Sequence, residues 1–486
     1  MNTIQPRLML CFWVLIAFWA LGFQTGKATV VTFQVDLSHE PNLSPNGIHV
    51  LGTLNGFDPA ATAMTAVGVG QYAVSINLAT GSQIMYKFVN GNTWQETEGV
   101  WGECAFNTYR LLTVPLNDTL LPMVCFGFCD SACTSPTGRR VAFVGNSITF
   151  GYGLSDPPRE SFTTVIQDSL GIGTLVGNFG ASGTAVIRAA GNPYHLSDPF
   201  RHLLLFGPEE VLILLGINDS KAGIWGTYSS RFSADYDSLW RAVDTLSSNP
   251  HCWIGLPTTA FSGLFGIDPQ VLTDSIVPKI EAHARQYCLD QIDLQRFTAN
   301  LSSGFPDGIH PDSATHRLLA KEILRVMAMP RPQLQQNGQQ LWTTGGYAWQ
   351  WYRDGDTVST ALGGQSDTLW VTAPGNYKVS VQVDSIFHHR LTSDSLFVVP
   401  VSNSSAWNAG LKVFPNPNQG ILRWEFEQAP SASIHLRMLD SKGTLITEKQ
   451  GIPSKGQITL PQSVPGTYYL DFEINGGHWV RSIIVE

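Results

Sequence analysis

Beyond an apolar run at Leu8–Phe23, the chain settles into alternation. Phe33, Val35 and Leu37 are separated by polar residues, and Tyr72, Val74, Ile76 and Leu78 keep the same spacing. A period of two puts alternate side chains on one face of a strand. With Gly, Asn and Pro between the runs, antiparallel strands are predicted from Thr29 to Cys133. They suit a β-sandwich of roughly 100 residues. After Ser135-Pro136-Thr137-Gly138 the pattern changes. Short apolar runs at Val141–Val144, Leu175–Phe179, Val211–Leu215 and Trp253–Leu256 predict buried strands. Ser161–Leu170, Pro199–Phe206, Tyr236–Ser247 and Ala314–Met327 carry helical spacing. Strands alternating with helices predict a parallel sheet with helices on both faces, closing near Met329 before Pro330-Arg331-Pro332. Alternation returns at Ala348–Tyr352, Asp367–Val371 and Tyr377–Val383. Beyond Ser402-Asn403-Ser404-Ser405 a last β-module runs to Glu486.

Composition narrows the class. At 486 residues the chain exceeds one domain of roughly 150. Charged residues are only 14%, against about a quarter in average soluble proteins. Low charge with many aromatics and turn formers favours β-rich extracellular modules and argues against disorder. The net charge of −9 comes with no Lys/Arg stripe, which excludes a nucleic-acid partner. Arg7 followed by Leu8–Phe23 and Ala20-Leu21-Gly22 predicts a signal peptide. The run is shorter than the roughly 20 residues a spanning helix needs, so no stable membrane span is expected; an uncleaved anchor is the alternative. Cys11 falls inside that segment. The other cysteines suit an exported protein with disulfides, with Cys104–Cys125, Cys129–Cys133 and Cys252–Cys288 as the expected pairs; buried free thiols are the alternative for Cys252 and Cys288.

Four loops carry candidate chemistry. Val144-Gly145-Asn146-Ser147-Ile148 follows a buried strand, where parallel sheets present their sites. Ser147 there is a candidate nucleophile, although Gly-Asn-Ser can equally cap a helix. Gly177-Asn178-Phe179-Gly180-Ala181-Ser182-Gly183 follows the next strand, and Gly180 could bring a backbone N–H to a reacting oxygen. Leu214-Leu215-Gly216-Ile217-Asn218-Asp219 offers the Asn218 amide, or an N-cap. Phe305-Pro306-Asp307-Gly308-Ile309-His310 puts a carboxylate three residues before a histidine, close enough to hold its Nδ1–H. His195, His202 and His316 lack such a partner in a loop.

In this order the four loops resemble the blocks of the SGNH, or GDSL, hydrolases over Arg140 to about Met329. Gly191-Asn192-Pro193-Tyr194 and Asn218-Asp219-Ser220-Lys221 look like its sialate O-acetylesterase-like branch. The resemblance implies a three-layer, flavodoxin-like α/β domain and a serine esterase that uses no cofactor or metal. Ser147 would be the nucleophile, His310 the base and Asp307 its orienting acid. The N–H of Ser147, the N–H of Gly180 and the side chain of Asn218 would form the oxyanion hole. The family usually has Asp where this chain has Asn146.

The flanking modules carry resemblances too. Val50–Phe57 and Tyr86–Trp94 look like a starch-binding module, implying that Phe57, Lys87 and Trp94 contact sugar. Core packing is the alternative for Phe57 and Trp94. The third module resembles the immunoglobulin-like repeats of Bacteroidetes surface proteins, and a spacer with no site is the expectation for it. Val413-Phe414-Pro415-Asn416-Pro417-Asn418-Gln419-Gly420, Pro465–Leu470 and the Ile483–Glu486 end resemble the sorting domain read by the type IX secretion machinery. The expected multidomain order is a signal peptide at 1–28, a carbohydrate-binding-like sandwich at 29–134, the hydrolase domain at 139–329, an immunoglobulin-like sandwich at 332–401 and the sorting domain at 407–486. The expected function is a secreted or surface-attached esterase acting on an acetylated polysaccharide or oligosaccharide. The competing readings are a glycan-binding adhesin with a retired site, and an esterase for lipid or other acyl esters.

Overall fold

The computed structural model describes residues 27–133, 137–398, 410–417, 420–430, 432–441, 443–460, 465–474 and 477–485. The expected signal peptide as far as residue 26, Ser135-Pro136, the 402–405 linker and Asn418-Gln419 lie outside them. The chain divides into two compact units, residues 1–137 and 138–486. Among the described residues no helix is long and apolar enough to cross a membrane.

In the first unit, Ala28–Asp36 pairs antiparallel with Gln71–Ala79, with Phe33 opposite Val74 and Val35 opposite Tyr72. A second sheet runs through Ile48–Gly52, Gln83–Asn90 and Tyr109–Thr113. Val31, Phe33 and Val35 pack on Val50, Ile84, Tyr86 and Phe88, which is the burial that the alternation requires. Two expectations are corrected here. The disulfides are Cys104–Cys129 and Cys125–Cys133, not Cys104–Cys125 and Cys129–Cys133. The chain doubles back after Cys125, whose N–H donates to the Asp130 carbonyl (2.8 Å) and whose carbonyl accepts from Phe128 (3.1 Å). That turn returns Cys133 to Cys125. Lys87 is wholly buried, with Nζ donating to Thr108 Oγ1 at 2.6 Å and lying 4.2 Å from the centre of the Tyr109 ring. It cannot meet a sugar hydroxyl. Phe57 stands edge-on to Tyr109, half-buried, and Trp94 is 37% exposed.

In the second unit five strands, Arg139–Gly145, Thr174–Gly180, Glu210–Leu214, His251–Leu256 and Asp290–Asp293, are β1 to β5. All are parallel, in the order 2-1-3-4-5 of flavodoxin-like sheets. On one face Val141, Phe143, Leu212, Leu214, Trp253 and Ile292 meet helices Phe162–Leu170 and Ser313–Met327. On the other, Phe179 meets Phe206 of helix Asp198–Phe206 at 5.3 Å. Cys252 lies beside Tyr236 and Trp240 of helix Phe232–Asp244. His283 of helix Val277–Gln286 packs on Tyr236 at 5.0 Å. Strands covered on both faces must be apolar throughout, so they read as short unbroken runs. The expected Cys252–Cys288 bridge does not form. Cys252 is held beside helix Phe232–Asp244, while Cys288 follows the end of helix Val277–Gln286 with φ +53 and its carbonyl accepts from Thr392 Oγ1.

β5 had no counterpart in the apolar pattern. It reads Asp-Gln-Ile-Asp, yet every residue is buried. Its polar groups find partners beyond the helical part of the chain. Asp290 accepts from Arg331 Nη2 (2.9 Å) and from the Thr392 N–H (2.6 Å), and pairs with His251 Nε2 (2.7 Å). Residue 390 pairs antiparallel with Gln291, and Ala348–Arg353, Gly375–Gln382 and Arg390–Thr392 continue the same ten-stranded sheet. A facing layer, Leu334–Asn337, Gln340–Thr343 and Thr368–Trp370, closes a core of Leu341, Trp351, Leu369, Tyr377, Val379 and Val381. One layer of the third module is thus an extension of the parallel sheet rather than a detached spacer. The described C-terminal strands form two further sheets around Leu422, Trp424, Leu436, Leu470 and Phe472.

His389 clasps the junction. It is wholly buried; Nδ1 accepts the Asp293 N–H at 2.9 Å, so Nε2 carries the proton and donates to Glu322 Oε1 at 2.8 Å. Burial works to raise the Glu322 pKa, but hydrogen bonds from Arg325 and His389 outweigh it and bring it down to about 2. His389→Ala leaves a buried N–H and a carboxylate short of partners and should lower unfolding free energy by about 2–4 kcal/mol in urea titration. A carboxyl with a depressed folded pKa stabilises above its ordinary value of 4.5 and loses that contribution as pH falls toward 2. Glu322→Gln should therefore flatten stability against pH across that interval.

Candidate active site

β1 ends at Gly145, where a Cβ would strike the Thr149 side chain, and the chain turns directly into helix Ser147–Phe150. Asn146 caps this helix: its Oδ1 accepts the Ile148 N–H at 3.0 Å. The cap and the candidate nucleophile are therefore neighbouring residues rather than rival readings. Ser147 is the first helical residue, so its N–H has no partner within the helix. It lies at the carboxyl edge of the parallel sheet.

The second group arrives from 163 residues away. Asp307 Oδ1 accepts the N–H of Ile309 (2.8 Å) and of His310 (2.7 Å), and Oδ2 meets His310 Nδ1 at 2.7 Å. One carboxylate fixes both the loop and the ring. Burial works to raise the Asp307 pKa, but these hydrogen bonds win and hold it below its ordinary value. An ionised carboxylate at Nδ1 requires the ring proton there, which turns the Nε2 lone pair toward Ser147 Oγ at 2.9 Å. Ser147, His310 and Asp307 are thus in one hydrogen-bonded line.

The expected oxyanion donors separate. Asn218 Nδ2 donates to the Thr184 carbonyl at 3.0 Å, which sets the plane of its amide and leaves its second N–H over. The neighbouring Asp219 accepts from Val186 and Ile187, both at 2.9 Å, so the two residues hold the 184–187 segment together. Burial pushes the Asp219 carboxyl up to about 7 against the pull of those N–H groups. Gly180 is different. Its N–H donates to Asn178 Oδ1 at 3.0 Å, and Asn178 is itself fixed through Nδ2 to the Thr149 carbonyl and Thr163 Oγ1. That N–H is committed, which corrects its assignment as an open donor. The glycine is required for another reason: a Cβ would run into the backbone of Phe150 where β2 touches the Ser147 helix.

Sequence reasoning passed over Gly183. It takes φ +76 in the turn closed by Thr184 N–H to the Ala181 carbonyl (3.3 Å), and its own N–H has no acceptor among the described residues. It directly precedes the residue that Asn218 holds. The signal was the second glycine of Gly180-Ala181-Ser182-Gly183, whose turn needs the left-handed region. His316 is structural: it is wholly buried, its Nδ1 accepts the Phe162 N–H at 3.1 Å, and burial pushes its pKa down to about 4. His202 pairs with Asp198 at 3.2 Å inside its helix.

Comparison with known proteins agrees in place. Residues 143–318 match the GDSL-like Lipase/Acylhydrolase family, and residues 412–486 match the Secretion system C-terminal sorting domain. An acetylxylan esterase from Xylanibacter ruminicola is 31% identical over 202 residues, covering 38% of this chain. The match spans 42% of the length of that relative. Among solved structures, the lipase/acylhydrolase from Enterococcus faecalis is 22% identical, over 38% of this chain and 94% of that one, with a TM-score of 0.32. A carbohydrate acetylesterase from Sinorhizobium meliloti is 18% identical, over 39% and 99%, also with a TM-score of 0.32.

Gly180→Ala tests the contact between β2 and the Ser147 helix. Overpacking backbone against backbone should lower unfolding free energy by about 1–3 kcal/mol. An unchanged urea midpoint would show that the two segments do not press on each other.

Proposed function

We propose that the chain is an exported serine carboxylic ester hydrolase that removes O-acetyl groups from a carbohydrate. The observation that carries it is the hydrogen-bonded line from Asp307 through His310 to Ser147 Oγ. Ser147 Oγ attacks the ester carbonyl as its proton passes to His310 Nε2. The carbonyl oxygen becomes an oxyanion, met by the N–H of Ser147, the spare N–H of Asn218 and the N–H of Gly183, which takes the place assigned to Gly180. Collapse breaks the bond to the alcohol, whose oxygen takes the proton back from Nε2. Water then repeats the cycle on the acyl-serine, again through His310. Asp307 stays ionised and stabilises the imidazolium at each step.

The substrate class is supported by the relative named acetylxylan esterase, and export by the match to the sorting domain. In this reading the partners are an acetylated polysaccharide or oligosaccharide and the type IX secretion machinery.

A fluorophosphonate probe should label the protein at Ser147 and leave Ser147→Ala unlabelled; equal labelling of that variant would defeat the assignment. On an aryl acetate, Asn218→Ala should lower kcat roughly a hundredfold or more with little change in KM, because the lost donor acts on charge that develops in the transition state.

A further inference from the structure

Two aromatic rings beside His310 take no part in the steps above. The Tyr152 ring centre lies 4.6 Å from that of His310, and the Phe265 centre 5.3 Å from it. The two rings stand 6.1 Å apart at 88° to each other. Both open to solvent, Tyr152 at 36% and Phe265 at 48% exposed, while His310 is 7% exposed. The imidazole is the floor of a corner with two aromatic walls.

Each wall is fixed to the machinery. Tyr152 follows the Gly151 cap, and its N–H donates to the Ser147 carbonyl at 2.9 Å. Phe265 sits at φ +57, in the left-handed region that a residue with a side chain adopts only at a cost. Its loop is bonded to the acid loop: the Phe261 N–H donates to the Gly308 carbonyl at 2.7 Å, and Ser262 Oγ to the Asp307 carbonyl at 2.8 Å. At Gly308 a Cβ would come within 2.6 Å of the Ser262 side chain, so the loops meet with no room between them. Burying a phenylalanine side chain is strongly favourable. A ring that forgoes much of that gain and sits on strained backbone is not placed there for packing.

The chemistry gives the corner a direction. The alcohol oxygen must come within about 3 Å of His310 Nε2 to take its proton. The oxyanion lies instead toward the N–H donors of Ser147, Gly183 and Asn218. Whatever the alcohol oxygen carries therefore sits over His310, between Tyr152 and Phe265. We propose that these two residues form the leaving-group subsite and that it takes a sugar ring. The C–H face of the sugar would lie on one aromatic face while its rim meets the other. This rests on the esterase reading and adds where the glycan lies. A rigid saturated ring with an apolar face suits two near-perpendicular aromatic surfaces better than the flexible chain of an alkyl alcohol does.

The test compares an acetylated xylo-oligosaccharide with ethyl acetate, whose ethyl group is too small to span the corner. In Phe265→Ala and Tyr152→Ala, the ratio of kcat/KM for the sugar ester to that for ethyl acetate should fall at least tenfold, chiefly through KM. Phe265→Trp and Tyr152→Phe should keep the wild-type ratio. An equal loss on both esters would mean that the rings position His310, and would overturn the subsite. An unchanged ratio in the alanine variants would overturn it as well. Both results leave the esterase reading standing. If wild-type protein hydrolyses neither ester, that reading fails and the subsite fails with it.

Discussion

Asp307 accepts three hydrogen bonds within one turn of chain, and the placing of the site follows from them. Two come from the backbone and shape the loop; the third orients the imidazole. The loop in turn hangs from the start of helix Ser313–Met327. Asp312 caps that helix through the Thr315 N–H at 2.8 Å, and its own N–H donates to the Gly304 carbonyl at 2.8 Å. Leu319, Ala320, Ile323 and Val326 bury the helix in the core against β1, β3 and β4. Burial of that apolar face supplies the rigidity, and a single carboxylate converts it into the position of Nε2. Ser147 needs no comparable device, since it is fixed by the end of the central strand and the cap beside it.

The same economy governs the edge of the sheet. β5 is the last parallel strand, and it carries two carboxylates in a buried setting. A buried charge without partners is expensive, and one with several hydrogen bonds is tolerable. Arg331, His251 and Thr392 satisfy Asp290. Asp293 caps helix Leu294–Thr298 through Arg296 while its N–H is taken by His389. The third module therefore does for the parallel sheet what a further strand and helix would do, covering an edge that would otherwise present open N–H and C=O groups.

These contacts explain what could be seen in the sequence and what could not. β1, β3 and β4 were legible because a strand buried on both faces must be apolar, and Ser147 and the Asp307–His310 pair because their chemistry is set over a few neighbouring residues. β5 was illegible because its burial is licensed by residues up to 102 positions away, which leave no local pattern. Lys87 was misread for a related reason. A lysine between aromatics reads as a sugar contact, but a hydroxyl and a ring within its own unit enclose it. The disulfide pairing depended on a reversal after Cys125 that spacing does not encode. Gly180 was recognised as necessary for the wrong function: the missing side chain matters more there than the N–H.

Asn146 was the one feature of the sequence that pointed to a retired site, and its geometry removes that ground. As an N-cap, asparagine is as good as aspartate, because either offers one oxygen to a helical N–H. Asn146 uses that oxygen on Ile148, so the turn that presents Ser147 is intact. What the amide lacks is a negative charge next to Ser147. In the proposed mechanism the Ser147 N–H meets the substrate oxygen, and a carboxylate beside it would compete with the developing negative charge for that donor. A neutral cap leaves that donor uncontested. The substitution keeps the shape of the turn and removes a competing charge, and neither effect argues against the hydroxyl beside it acting as a nucleophile.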